Sequence, residues 1–399
     1  MRHEKNMKLD RRAFLRVGVV SGALAGTACL ADETAASLPP GFKPAAENEP
    51  AQAPKGPASR MLGRTGMRVN VIGIGTLQVT EEAVIQAAME MGVNYIDTAR
   101  VYLSGRSEET VGRAVKGRRE KVFIATKTPP ACASKEDIYK HVDASLKAMQ
   151  LDYVDVIQLH VIEDRNKVMN AELREALLKV REQGKARFLG LTTHKNQVEV
   201  LNAVAEDPEH FFDVVLVAYN YQSPPEVGEA IARVAEKGVG VVAMKTQQGG
   251  YKTEELGNIS PHQASLKWVL RNPHVACAVP GMVDIAQLRE DVAVANMLEL
   301  TRTEEQVLER YAEAVQSIHC LMCGSCDGTC PFGVRVSDVN RCLMYLRGYG
   351  DIVLARSAYA EIPAACSPDR CLECPGCQVR CVRGLPIADR MREARTLLA

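Results

Sequence analysis

Val93-Asn94-Tyr95-Ile96-Asp97-Thr98-Ala99-Arg100-Val101-Tyr102, closed by Ser107-Glu108-Glu109, is the stretch from which the rest of the chain can be read. Its opening residues have the apolar bias of a buried strand, and polar chemistry begins abruptly at Asp97. In a barrel of parallel strands, that end is the face on which active sites are built. Two later runs follow the same plan. Phe123-Ile124-Ala125-Thr126-Lys127-Thr128 delivers a lysine at its end, and Val156-Ile157-Gln158-Leu159-His160 delivers a histidine.

An acid, a phenol, an ammonium and an imidazole at neighbouring strand ends suit the reduction of a carbonyl, which needs a proton on oxygen as hydride reaches carbon. A free phenol has a pKa of about 10, so it is a poor acid at neutral pH without help. An ammonium beside it favours the phenolate. A carboxylate paired with that ammonium keeps it charged and oriented, as general acid–base sites require. Taken singly, Asp97 and Lys127 read equally well as an ordinary strand-end ion pair, and His160 as a satisfied polar residue. The argument rests on all four together.

The stretch resembles the aldo-keto reductase signature, in which a strand-end Asp precedes the catalytic Tyr by five residues, as Asp97 precedes Tyr102. The runs ending in Lys127 and His160 resemble that family's next two strands. The resemblance implies Tyr102 as the acid/base, Lys127 and Asp97 as its tuning pair, and His160 as the group that orients the substrate carbonyl.

Outward from this stretch the pattern alternates. Strand-like runs fall at 71–75, 94–97, 122–127, 154–160, 187–192, 213–219, 240–245 and 275–280. Helical periodicity separates them at 81–91, 135–149, 171–183, 225–237 and 261–271. Eight repeats of this kind predict an α/β chain built on one (β/α)8 TIM barrel, spanning 59–300. Residues 60–69 resemble the short hairpin that plugs the bottom of the family's barrels.

The resemblance also implies a nicotinamide cofactor, NAD or NADP. Met244 stands where the family often stacks a tyrosine on the nicotinamide, and Thr192-Thr193 stand where a Ser-Asn pair commonly holds its carboxamide. Leu216 takes the place of a strand-six Gln. Past the eighth strand, Gly281 and Met282 replace a Lys-Ser pair, and Gln287 replaces the arginine that clamps the 2′-phosphate of NADP. Glu290 and Asp291 keep the place of the acidic/amide pair. A guanidinium binds phosphate better than an amide does, so the choice between NAD and NADP stays open.

Eight of the thirteen cysteines stand in two like-spaced runs near the C-terminus: Cys320, Cys323, Cys326, Cys330 and Cys371, Cys374, Cys377, Cys381. The repeated C-x2-C-x2-C-x3-C spacing is that of ferredoxins with two [4Fe–4S] clusters, where three close thiolates hold one cubane and the fourth reaches the other. By that pattern Cys320, Cys323, Cys326 and Cys381 hold one cluster, and Cys371, Cys374, Cys377 and Cys330 the second. Zinc and disulfides are the alternatives. Helical stretches at 336–347 and 351–360 between the runs predict a small α-helical ferredoxin-like domain over 301–399. Cys132, just past Lys127, is expected near the pocket mouth.

At the other end, Asp10-Arg11-Arg12-Ala13-Phe14-Leu15-Arg16 resembles a twin-arginine export signal, followed by an apolar run at 17–31 too short for a membrane span. Residues 1–31 then read as a signal peptide and 32–58, rich in Ala, Pro and Glu, as a linker. The expected location is the periplasm or another exported one, through the twin-arginine machinery. Cys29 raises lipoprotein anchoring as an alternative, against which Gly26 stands where the lipobox prefers Leu. Charges balance at 49 against 49, so no net field recruits nucleic acid or an anionic membrane.

The sequence thus predicts an exported iron–sulfur oxidoreductase interconverting a carbonyl and an alcohol, with a redox partner reached through the clusters. The rival is a non-catalytic barrel serving as a small-molecule sensor or electron-transfer subunit.

Overall fold

Alternation fixes which strand residues face the barrel axis. Tyr95 and Asp97, Ala125 and Lys127, Val156 and Gln158 point inward; Ile96, Ile124, Ile157 and Leu159 point out to the helices, where they join the main apolar core. The structure, a computed structural model, describes residues 57–132, 134–248, 259–316 and 318–399. The expected signal peptide, Cys29 and nearly all of the expected linker lie outside the described residues.

The eight parallel strands are β3 (Ile74–Gly75), β4 (Tyr95–Asp97), β5 (Phe123–Lys127), β6 (Val154–Leu159), β7 (Ala186–Thr193), β8 (Val214–Ala218), β9 (Gly240–Met244) and β10 (Cys277–Ala278), each beside its sequence neighbour. Parallel bridges between Ile72 and Ala278 and between Gly75 and Gly281 join the first strand to the last and close the barrel. Before them, β1 (Ser59–Met61) and β2 (Arg68–Asn70) form an antiparallel hairpin. Leu62, Met67 and Val69 from this hairpin enter the interior cluster, and the Arg64 amide donates to the Gly238 carbonyl below β9. The hairpin is the plug that the sequence predicts.

The outer helices are α1 (Glu82–Glu90), α2 (Arg106–Ala114), α3 (Lys135–Met149), α4 (Arg165–Val168), α5 (Ala171–Glu182), α6 (Gln197–Ala205), α7 (Pro225–Glu236), α8 (Pro261–Leu270) and α9 (Ile285–Ala293). Their starts follow from local chemistry. Ser134, Asn170, Ser260 and Asp284 each accept a backbone N–H as N-cap, and Pro225 and Pro261 occupy first-turn positions that have no donor to lose. The sequence reading marks no helix at α2, α6 or α9.

Past the barrel, α10 (Arg302–Val315) begins with a Thr301/Glu304 capping box and lies against α8, with Lys267 Nζ donating to Glu304 at 2.6 Å. The remaining helices, α11 (Val336–Arg347), α12 (Ile352–Ala360) and α13 (Ile387–Leu398), pack around their own core of Val339, Leu343, Met344, Ala355, Met391 and Ala394. This helical module sits over the C-terminal ends of the strands. Lys195 Nζ meets Glu163 at 3.2 Å on the barrel side and Asp327 at 3.0 Å and Asp338 at 3.6 Å on the module. Gln78 donates to Asp351 at 3.0 Å, and Leu77 packs on the module's apolar core. Among the described residues no helix is long and apolar enough to cross a membrane.

Candidate active site

The strand-end residues converge at the mouth of the barrel. Lys127 Nζ donates to Asp97 Oδ2 at 2.6 Å and to the Thr98 carbonyl at 2.7 Å. Gln158 Nε2 approaches the other Asp97 oxygen at 3.5 Å. The Lys127 ammonium lies 4.6 Å from the centre of the Tyr102 ring, which stands edge-on to His160 with centroids 6.1 Å apart. The structure therefore brings Asp97, Tyr102, Lys127 and His160 together.

The loop that carries Tyr102 is held in an uncommon shape. Leu103 and Ser104 have φ of 51° and 57°, a left-handed conformation that non-glycine residues adopt rarely and at some cost. Gly105 follows at φ +92°, where a Cβ would come within 2.9 Å of the Arg100 guanidinium. That guanidinium pairs with the buried Glu108 at 2.9 Å, and Thr126 donates to the same carboxylate at 2.7 Å. Ser107 bridges the hydroxyls of Thr76 and Thr98 at 2.8 and 2.9 Å. The Ser107-Glu108 tail of the opening stretch is thus the brace that fixes Tyr102.

Burial dominates the electrostatics. It pulls the Lys127 ammonium down and pushes the Asp97 carboxyl up, each opposed by the other partner of the pair. His160 is driven well below the usual imidazole range, first by burial and then by the Lys127, Arg341 and Lys245 cations, so it is neutral at neutral pH. Tyr102 runs against expectation. Its phenol is pushed well above its ordinary value, first by burial and then by Asp97, Tyr345 and Tyr349. Asp97 and Thr98 share the Lys127 charge, and burial of the phenol outweighs what attraction remains. The phenol is therefore protonated at neutral pH.

A cavity of about 1200 Å³ opens above the four residues, wider than a single small ligand needs. Of the positions expected to bind the nicotinamide, Met244, Gly281, Gln287, Glu290 and Asp291 line it. Thr192, Thr193 and Met282 lie outside the lining. The Thr192 hydroxyl accepts from the Val161 amide at 2.9 Å, that of Thr193 donates to the Lys195 carbonyl at 2.8 Å, and Met282 is in the core. Cys132 packs against the barrel core, leaving Pro129, Pro130 and Ala131 at the mouth. Leu216 is buried in the barrel interior. Residues that the sequence reading passes over also line the cavity. Among them are His194 and Lys245 from the barrel and Arg341, Tyr345 and Tyr349 from α11 and the turn after it.

The cysteines of the module group across the sequence. Cys320, Cys323, Cys326 and Cys381 line one small apolar-walled cavity with Leu321, Leu385 and Ile387. Backbone amides of Met322 and Arg383 donate to the sulfurs of Cys320 and Cys381 at 3.4 Å each. The Cys371 thiol is raised by burial and then by its neighbours Cys330, Cys374 and Cys377. The twelve described cysteines are free thiols. Among the described residues no three His, Cys, Asp or Glu side chains converge closely enough to hold a single metal ion. The first set has apolar walls and N–H donors that would suit a cluster.

Residues 72–257 match the model of the aldo/keto reductase family. The barrel is an aldo/keto reductase domain. The chain is 28% identical over 299 residues to the uncharacterized oxidoreductase YqkF of Bacillus subtilis, covering 64% of this chain and 96% of that one. It is 27% identical over 310 residues to L-galactose dehydrogenase of Arabidopsis thaliana, covering 65% and 94%. Among solved structures, the holo form of aldo-keto reductase AKR11C1 from Bacillus halodurans superposes with a TM-score of 0.54 at 25% identity, covering 64% of this chain and 96% of that one. An aldo/keto reductase from Klebsiella pneumoniae, in complex with NADP and acetate, does so with a TM-score of 0.53 at 25% identity, covering 62% and 93%. The family model and these relatives place the barrel among aldo/keto reductase-type oxidoreductases.

Proposed function

We propose that the chain is an exported iron–sulfur aldo/keto reductase that interconverts a carbonyl and an alcohol with NAD or NADP. In this reading the module's two [4Fe–4S] clusters link the barrel to an external electron carrier. The observation that carries the reading is that one cavity is lined by Asp97, Tyr102 and His160 on the barrel and by the helical module. Export is supported by the Arg11-Arg12 segment, since twin-arginine translocation carries proteins already folded. The clusters are supported by the repeated spacing and by the two groupings of four thiols.

When bound, the nicotinamide supplies or accepts hydride and the clusters pass single electrons. Cys320, Cys323, Cys326 and Cys381 would hold one cluster, and Cys330, Cys371, Cys374 and Cys377 the other. The remaining steps belong to side chains. His160, neutral in its buried setting, donates a hydrogen bond that orients the carbonyl. Tyr102 gives its phenolic proton to the carbonyl oxygen as charge develops there. Lys127, held by Asp97, stabilises the phenolate left behind. In the oxidative direction the same phenolate takes the alcohol proton.

The rival reading, a barrel without turnover, draws on Gln287 and Gly281 standing where the family clamps the cofactor's phosphate. Mass spectrometry of the purified, denatured protein separates the two. The enzyme reading expects a nicotinamide dinucleotide released in stoichiometric amount, and a protein that carries none and takes up none supports the rival.

A further inference from the structure

Facing the tetrad, the cavity wall carries two cations, one from the barrel and one from the module. Lys245 ends β9 at φ +57°, a strained position that aims its side chain across the mouth. Among the described residues it pairs with no carboxylate. Its Nζ reaches the phenol oxygens of Tyr345 at 3.4 Å and Tyr349 at 3.5 Å and stands over both rings. Arg341 comes to the same wall from α11. Among the described residues its one ion-pair contact, Asp338, is 4.0 Å away and also meets Lys195 at 3.6 Å and Arg335 at 3.8 Å. The Arg341 Nε is buried with no hydrogen-bond partner among the described residues.

The other carboxylates lining the cavity are engaged elsewhere. Asp97 holds Lys127, Glu163 holds Lys195, Asp291 accepts from Gln247 at 2.7 Å and Glu290 accepts from Ser260. Glu361 is exposed. On the barrel side His160 and His194, only 8% and 7% exposed, each bury an Nδ1 that has no partner among the described residues. Their rings stand 6.1 Å apart. Lys245 thus has no carboxylate partner among the described residues and Arg341 only a distant, shared one, and an anion placed between them balances that positive charge.

We propose that Lys245 and Arg341, with the hydroxyls of Tyr345 and Tyr349, form an anion subsite, and that the substrate is an oxo acid or hydroxy acid whose carboxylate binds there. The carbonyl of the same molecule then faces Tyr102 and His160. The subsite rests on the carbonyl–alcohol reading and names its substrate class. It also gives the module a second task, as the wall that recognises the substrate. Phosphates of the dinucleotide carry the same charge, so the test must separate the two sources.

The full-length protein, purified anaerobically, is titrated calorimetrically with matched acids and primary amides: pyruvate and pyruvamide, lactate and lactamide, mandelate and mandelamide, glucuronate and glucuronamide. NADPH binding is followed in the same preparations by its fluorescence. At least one acid is expected to bind about tenfold or more tighter than its amide. Arg341→Met and, separately, Lys245→Met should each abolish that preference while leaving amide and NADPH affinities unchanged. The barrel-side variant keeps the test sound if the α11 variant folds poorly. The proposal is overturned if no acid is preferred, or if the preference survives both substitutions. It is equally overturned if NADPH affinity falls while acid preference stays, because the cations would then hold cofactor phosphate. Failure of the reductase reading looks different: acid preference would persist in a protein that neither binds NADPH nor turns over.

Discussion

Lys127 and Asp97 show how one pair can be structural and functional together. Both are almost fully buried, and each relies on the other for its charge. Replacing Lys127 with Met leaves a carboxylate in the barrel without its partner. The expected loss is about 3–5 kcal/mol, the usual cost of breaking a buried pair from one side. Denaturant unfolding of Lys127→Met measures it, and adding Asp97→Asn should recover part of the loss by removing the stranded charge. If the single variant is as stable as the wild type, the pair does not hold the site together in the way described.

At the scale of elements, the module is joined to the barrel by chemistry that no local pattern announces. Strand ends at Asp97, Lys127 and His160 are legible because an apolar run of period two stops at a polar residue. Arg341, Tyr345 and Tyr349 are not, because a helix that packs on one face and faces a cavity on another shows the same periodicity as one facing water. Helices α2, α6 and α9 escape the reading for a related reason: they are short, and α2 and α9 carry mixed charge over a narrow apolar face. The cysteine spacing, by contrast, is legible as a repeat, and Cys381 lines the cavity of Cys320, Cys323 and Cys326. Under the proposed cluster pairing, Cys381→Ala should convert the cluster assigned to that distant trio into a three-iron form visible by electron paramagnetic resonance, sparing the one beside it in sequence. Damage confined to the cluster of Cys371, Cys374 and Cys377 would reverse the pairing.

For the whole molecule, the buried titratable groups set how stability depends on pH. His160 and His194 are held well below 6.5 by burial, so the unfolded chain takes up protons that the folded one refuses. Their contribution is present above pH 6.5 and is lost as pH falls. Asp291 acts in the other direction. Burial and then the Glu290 charge, opposed by a hydrogen bond from Gln247, leave its carboxyl at about 8 against an ordinary 3.8. That contribution is full below 3.8 and disappears as pH rises through about 8. Free of nucleotide, the protein should lose on the order of a few °C in Tm between pH 6.5 and 8. Asp291→Asn should flatten that decline in differential scanning calorimetry, and an unchanged slope would place Asp291 outside the effect.

In the proposed function Tyr102 is the proton donor of a nicotinamide-dependent reductase. Wild type and Tyr102→Phe can be compared with one carbonyl substrate, recording turnover and NADPH affinity in the same preparation. The substitution removes only the phenolic hydroxyl. Turnover is predicted to fall by roughly 10²–10⁴-fold, the range for general acid catalysis, with NADPH affinity unchanged. Equal turnover in the two proteins would contradict the account.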